Sequence, residues 1–108
     1  MAVERRNPQL NKSALKVFDV LRVLERNFAQ GYTASELAEA TGLSPSDITR
    51  YVATLEEAGY AERIPETQRI RPAMRYAKVA MGIMSSVDKD VSRATETKSR
   101  LLTGLNHV

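Results

Sequence analysis

The stretch TASELAEATGLSPSDITRYVATLEEAGY, Thr33–Tyr60, decides how this chain folds. Thr33 is followed three residues later by Glu36, the spacing of a capping box, in which a hydroxyl and a carboxylate satisfy free backbone N–H groups at a helix start. Leu37, Ala38 and Ala40 form the inward side of that helix, and Gly42 ends it in the left-handed conformation that glycine adopts cheaply. Ser44 caps the next helix, Pro45 fills its first position, and Asp47 completes a second capping box. Ile48, Val52 and Leu55 recur at helical spacing as its buried stripe, and Gly59 stops it. Two short capped helices about a tight glycine turn are the sequence form of a helix-turn-helix, whose second helix is shaped for the major groove of DNA.

Upstream, the pattern is also helical. Ser13 is the expected N-cap, Leu15, Phe18, Leu21, Val23, Leu24 and Phe28 form one wide apolar stripe, and Gly31 ends the segment. Residues 1–12 are polar and carry Arg5, Arg6 and Lys12 around Pro8. They suit a loose leader, a basic arm that touches DNA, or both.

Downstream of Gly59 the spacing changes from helical to alternating. Tyr60–Ile64 and Gln68–Arg71 read as two brief strands about a turn at Pro65-Glu66-Thr67. Placed directly after a recognition helix, they form the wing of a winged helix. Tyr60, Ile64 and Ile70 are expected on the core, with Arg63, Arg69 and Arg71 pointing outward. From Pro72 a last helical region carries Ala73, Ala77, Ala80, Met84, Val87, Val91, Ala94, Lys98, Leu101 and Leu105 at 4-3 spacing, a heptad seam. It is either one helix roughly 50 Å long or two helices broken at Ser85-Ser86, where Ser85 and Asp88 offer a third capping box. Its apolar face exceeds what a domain of roughly 60 residues can cover, so a second chain is the expected partner. Ala80, Met84, Val87, Val91, Leu101 and Leu105 are the dimerisation candidates.

The fold expected is therefore mainly α: a three-helix winged helix-turn-helix with a two-stranded wing and a C-terminal helical extension. Residues 1–12 form the arm, 13–72 the DNA-binding domain and 73–108 the dimerisation segment. The chain has 108 residues, 43% of them hydrophobic and 27% charged, which suits one domain with an extension. A net charge of +3 permits a polyanionic partner, though where the charge sits matters more. Cysteine is absent, so disulfides and thiolate metal sites are excluded. His107, the single histidine, lies beside the C-terminus and reads as part of a frayed tail. The sequence contains neither a signal-peptide pattern nor an apolar run of membrane-spanning length, and a cytoplasmic protein without a membrane partner is expected.

On the second helix of the motif, Ser44, Ser46, Asp47, Thr49 and Arg50 occupy the N-terminal turn and outer face that meets DNA. Ser46 and Thr49 can bond phosphates or base edges, and the Arg50 fork matches guanine O6 and N7. Arg50 can instead pair with Asp47 or Glu57 around its own helix. Asp47 would repel phosphate, so it caps its helix or accepts from cytosine N4. Tyr51 either reaches the DNA backbone or packs inward. Arg63, Arg69, Arg71, Arg75 and Lys78 crowd the wing and the start of the last helical region, a candidate phosphate-contacting stripe. Neither a glycine-rich phosphate loop, a metal-ligand cluster nor a nucleophile elbow occurs, so an enzyme is not expected and no cofactor is implied.

These residues resemble the DNA-binding domain of IclR-type (isocitrate lyase repressor) transcription regulators. The resemblance runs from Ser13-Ala14-Leu15 through Ala34-Ser35-Glu36-Leu37-Ala38, Thr41-Gly42-Leu43-Ser44 and Val52-Ala53-Thr54-Leu55-Glu56-Glu57-Ala58-Gly59-Tyr60, as far as Arg71-Pro72. The ATLEEAGY run is its most specific part, although similar runs end recognition helices in MarR-type regulators. The resemblance implies a winged fold, a homodimer on a palindromic double-stranded operator, regulation of transcription as a repressor, and DNA contact by Ser46, Asp47, Thr49 and Arg50. The family has a small hydroxyl residue where this chain has Asp47. Its members also carry a ligand-sensing domain where residues 73–108 offer a helical tail, so no small-molecule effector is expected and a phage or mobile-element regulator is suggested. Two other functions fit the same residues: an accessory or architectural DNA-binding protein of a mobile element, and a winged helix used as a protein-interaction module without DNA.

Overall fold

A computed structural model describes the backbone of residues 7–106 and the side chains of residues 7–104. Six elements run in the order α1 (Lys12–Leu24), α2 (Ala34–Thr41), α3 (Pro45–Glu57), β1 (Ala61–Arg63), β2 (Ile70–Pro72) and α4 (Met74–Asn106). The expected mainly α winged helix-turn-helix with its C-terminal helix is the fold observed. Arg5, Arg6, His107 and the Leu105 side chain lie outside the described residues.

Each helix start has a chemical cause. Asn11, two residues earlier than the expected Ser13, caps α1 by accepting from the Ala14 N–H at 3.0 Å. The Thr33 capping box is complete: its hydroxyl accepts from Glu36 N–H at 3.1 Å, and Glu36 accepts from Thr33 N–H at 2.9 Å. At α3 only half of the expected box forms. Ser44 accepts from Asp47 N–H at 3.1 Å, but the Asp47 carboxylate turns to Arg50 instead. A charged donor is the stronger partner for a carboxylate than a backbone amide that water already reaches. The glycine turn between α2 and α3 is closed by Gly42, at φ 76°, whose N–H donates to Ala38 O. Thr41 reinforces it, donating to Leu37 O at 2.7 Å and accepting from Leu43 N–H at 3.2 Å.

Helix α1 ends at Leu24, well before Gly31. Arg26 and Asn27 N–H groups donate to carbonyls three residues back, tightening the last turn and halting the helix. Asn27 then builds a second turn, accepting from Gln30 N–H on its side chain and from Gly31 N–H on its carbonyl.

The core gathers Val20, Leu21, Val23 and Leu24 of α1, Leu37 of α2, Ile48, Tyr51, Val52 and Leu55 of α3, and Ala61 and Ile70 of the strands. Phe18, expected among them, is 54% exposed. At 100° per residue it falls outside the stripe that Val17, Val20, Leu21 and Leu24 share. Ala40 is likewise exposed. Of the three wing residues expected on the core only Ile70 is fully buried: Ile64 is half-buried, and Tyr60 is exposed and packs edge-on against Tyr76 at 5.2 Å.

The strands pair antiparallel with Ala61 opposite Pro72, Glu62 opposite Arg71 and Arg63 opposite Ile70. Tyr32 adds an isolated bridge to Ile70, with N–H···O distances of 2.7 and 2.8 Å in the two directions, tying the base of the wing to the segment before α2.

The chain divides into two compact units, one ending at Tyr76 and one beginning at Ala77. The second is the larger part of α4, and α4 is a single helix through Ser85-Ser86. Among the described residues no helix is long and apolar enough to cross a membrane.

Candidate nucleic-acid interface

Helix α3 is sharply two-sided. Ile48, Tyr51, Val52 and Leu55 are buried, while Ser44, Ser46, Thr49, Arg50, Ala53 and Thr54 are exposed. Tyr51 is 6% exposed, so of its two expected placements the inward one holds. The exposed side is the one a recognition helix turns to a groove, and its first turn is set by the Ser44 cap and Pro45.

Internal bonds limit what these side chains can offer. The Thr49 hydroxyl donates to Pro45 O at 3.1 Å and that of Thr54 to Arg50 O at 2.9 Å. Each therefore retains acceptor lone pairs, suited to a base amino group. Ser44 and Ser46 share a hydroxyl–hydroxyl contact of 3.3 Å. Arg50 donates through Nη2 to Asp47 Oδ1 at 2.8 Å, so of its two sequence-level partners Asp47, not Glu57, is the one engaged. The Arg50 hydrogen bond holds the Asp47 carboxyl below its usual range, and Asp47 in turn raises Arg50. The positive charge of Lys16 on α1 adds to the lowering of Asp47. Sequence reasoning passed over Lys16. The available signal was Lys12 and Lys16 at i,i+4 on the polar side of α1.

The wing arginines do not form one stripe. Directly opposed residues share a face of a strand pair. The register therefore sets Arg63 with Ala61, Ile70 and Pro72, and Arg71 on the other face with Glu62. Arg63 is the looser of the two, donating to Gln68 O at 3.2 Å and standing 3.7 Å from Glu56. Arg71 is 21% exposed, bonded through Nε to Glu62 at 2.9 Å and stacked over the Phe28 ring at 5.2 Å. The other oxygen of Glu62 accepts from Met74 N–H at 3.2 Å, so the same carboxylate supports the start of α4. Arg69 donates to Gln30 O, Gly31 O and Glu36 at 3.0, 3.1 and 2.7 Å. Arg75 is exposed, with its Nη1 close against Gly59: a Cβ there would lie 2.8 Å from it. Lys78 belongs to the second unit.

Residues 13–65 match the model of the IclR helix-turn-helix domain. This chain carries an IclR-type winged helix-turn-helix domain. That domain is a DNA-binding module without catalytic chemistry, and among the described residues no group of carboxylates and histidines is placed to hold a metal ion. In three dimensions the chain is similar to Pseudomonas aeruginosa HmgR, with a TM-score of 0.62 and 25% identity. The similarity covers 70% of this chain and 31% of HmgR, so the chain spans under a third of that protein's length. A mutant of Lactococcus lactis ZitR also aligns, at 18% identity and a TM-score of 0.42, over 88% of this chain and 64% of ZitR. No curated protein matches the sequence.

Within the second unit, Met84, Val87, Val91 and Leu101 are 61, 49, 58 and 67% exposed, and Ala80 is exposed with them. Val79, Met81, Ile83 and Leu102 widen the apolar surface of α4 beyond a narrow seam.

Proposed function

We propose that this protein regulates transcription by binding specific double-stranded DNA as a homodimer, in the cytoplasm, and that it acts as a repressor. The observation that carries the reading is the two-sided α3, with Ser46, Thr49 and Arg50 exposed at the groove-facing end of a helix whose other side is buried. Arg50 reads base edges with Ser46 and Thr49 beside it, and Ser44 holds the start of the helix. Arg63, Arg75 and Lys16 contact phosphates, whereas Arg69 and Arg71 serve the wing's own geometry before they serve DNA.

The exposed 4-3 row on α4 supports pairing of two chains. A two-fold dimer presents two recognition helices to half-sites about one DNA turn apart, roughly 34–36 Å. Repression follows from occupancy alone, since a bound dimer excludes other proteins from the same stretch of DNA.

Selection of bound duplexes from a random pool tests the reading. A palindromic consensus, bound at least about 1,000-fold more tightly than unrelated DNA, is the expected result. A ratio below about 100 favours an accessory protein of low sequence preference. The internal pairing of Arg50, Arg69 and Arg71 favours a second reading, a winged helix that binds protein rather than DNA. Absence of any DNA binding at low salt would decide for it.

A further inference from the structure

We infer that Asp47 is a specificity-determining residue, which positions the Arg50 guanidinium for one base pair of the bound DNA. The inference rests on the reading of α3 as a recognition helix.

An acidic residue facing phosphates is unfavourable unless it does something for a neighbour. Asp47 and Arg50 sit one turn apart on α3, with Oδ1 and Nη2 at 2.8 Å. The Asp47 side chain is 27% exposed and that of Arg50 is 68% exposed, so the acid is the held partner and the guanidinium the presented one. Arg50 also stands over the Tyr51 ring, with Cζ 5.4 Å from the centroid, and that ring is anchored in the core. The guanidinium is thus restrained by two neighbours before any DNA arrives. It has five N–H donors. Asp47 takes one, and among the described residues Arg50 makes no other side-chain hydrogen bond. The remaining donors suit a paired acceptor such as guanine O6 and N7.

Asp47 has its own reason to stay charged and in place. It lies in the first turn of α3, where the helix dipole favours a carboxylate, and Lys16 draws it as well. Its charge also offsets that of Arg50, weakening the pull of the guanidinium toward phosphates at large and leaving geometry to choose its partner.

A residue that merely repelled DNA would have a different signature. Removing it would raise affinity for every sequence and leave base preference intact. Removing a positioning residue frees the arginine, so affinity for unrelated DNA stays level or rises while discrimination at one base pair collapses.

The test compares the full-length wild type with Asp47→Ala, Asp47→Asn, Arg50→Ala and the double variant Asp47→Ala/Arg50→Ala. Each is titrated against the selected duplex, a panel with each base pair replaced in turn, and an unrelated duplex, with circular dichroism to confirm folding. Arg50→Ala should erase preference at one base pair, a loss of roughly 5- to 150-fold. Asp47→Ala should erase preference at that same base pair without weakening binding to the unrelated duplex. The double variant should discriminate no worse than Arg50→Ala alone, and Asp47→Asn, whose amide oxygen still accepts, should retain part of the preference. If Asp47→Ala instead tightens binding to every duplex and keeps the preference, the inference is overturned while the proposed function stands. If the wild type shows no base preference, or Arg50→Ala alters none, the recognition-helix reading itself fails and takes this inference with it.

Discussion

Arg69 and Glu36, 33 positions apart in the chain, are joined by a 2.7 Å ion pair that fastens the wing to the start of α2. The same guanidinium donates to the carbonyls of Gln30 and Gly31, and the same Glu36 oxygen accepts from Thr33 N–H. One carboxylate therefore completes a helix cap and anchors the wing that comes after the recognition helix.

Loss of this clasp should register as stability, whereas loss of Arg63 should register as DNA binding. Arg69→Ala is expected to lower the melting temperature by about 4–8 °C, the shift that about 1 kcal/mol produces in a domain of 60–100 residues. Arg69→Lys should recover little, because an ammonium cannot serve three acceptors in the plane of a fork. Arg63→Ala should leave the melting temperature nearly unchanged, weaken binding to all sequences alike, and reduce the salt slope by about 1. Thermal scans and affinity titrations at several salt concentrations distinguish the two.

Acid should loosen the clasp. The backbone hydrogen bond from Thr33, with Arg69 adding to it, holds the Glu36 carboxyl below its ordinary 4.5. A carboxyl depressed by folding contributes stability that is fully present above the unfolded value and is lost as pH falls through the folded one. The wild type should therefore be more stable than Glu36→Gln near neutrality. The difference in melting temperature between them should shrink as pH falls from about 6 to about 3, and a constant difference over that range would refute the assignment.

Gly31 and Gly42 separate two kinds of glycine. Both have positive φ, 68° and 76°, but a Cβ at Gly31 would lie 2.4 Å from the Ile70 carbonyl oxygen, and one at Gly42 would meet nothing within 4 Å. Gly42→Ala should cost only the left-handed backbone penalty, about 1–2 kcal/mol. Gly31→Ala must also push the Tyr32–Ile70 bridge apart and should cost more, about 3 kcal/mol or beyond. Urea denaturation of the two variants gives the comparison directly.

Pairing through α4 predicts a particle of about twice the chain's 12.0 kDa in sedimentation equilibrium. Met84→Asp together with Val91→Asp puts charge into the exposed 4-3 row and should yield a folded monomer with weaker operator binding. If the double variant remains dimeric, the dimer is built elsewhere, and the exposed Phe18 of α1 becomes the next surface to test.

Local chemistry made much of this protein readable. Thr33, Glu36, Gly42, Ser44 and Pro45 each act on backbone within four residues, so the helix-turn-helix is written in short-range terms. The end of α1 and the exposure of Phe18 were not readable in the same way. An apolar residue on a helix shows that some face is buried, but where that face stops depends on how far the neighbouring helices extend. Likewise, Asp47 at the third position of α3 fits a capping box and an ion pair equally well, and only the placement of Arg50 chose between them.

The sequence by itself determined the winged helix-turn-helix, the face of α3 that is left exposed, and the apolar row along α4, because periodicity and caps are local properties of the chain. Only the tertiary structure decided which partners the wing cations take within the protein. Arg63, Arg69 and Arg71 are alike on paper, yet strand register sets Arg63 and Arg71 on opposite faces. Long-range partners then engage Arg69 through Gln30, Gly31 and Glu36, and Arg71 through Glu62 and Phe28. A charge acts on whatever folding brings within a few ångströms of it, and no spacing along the chain records that distance.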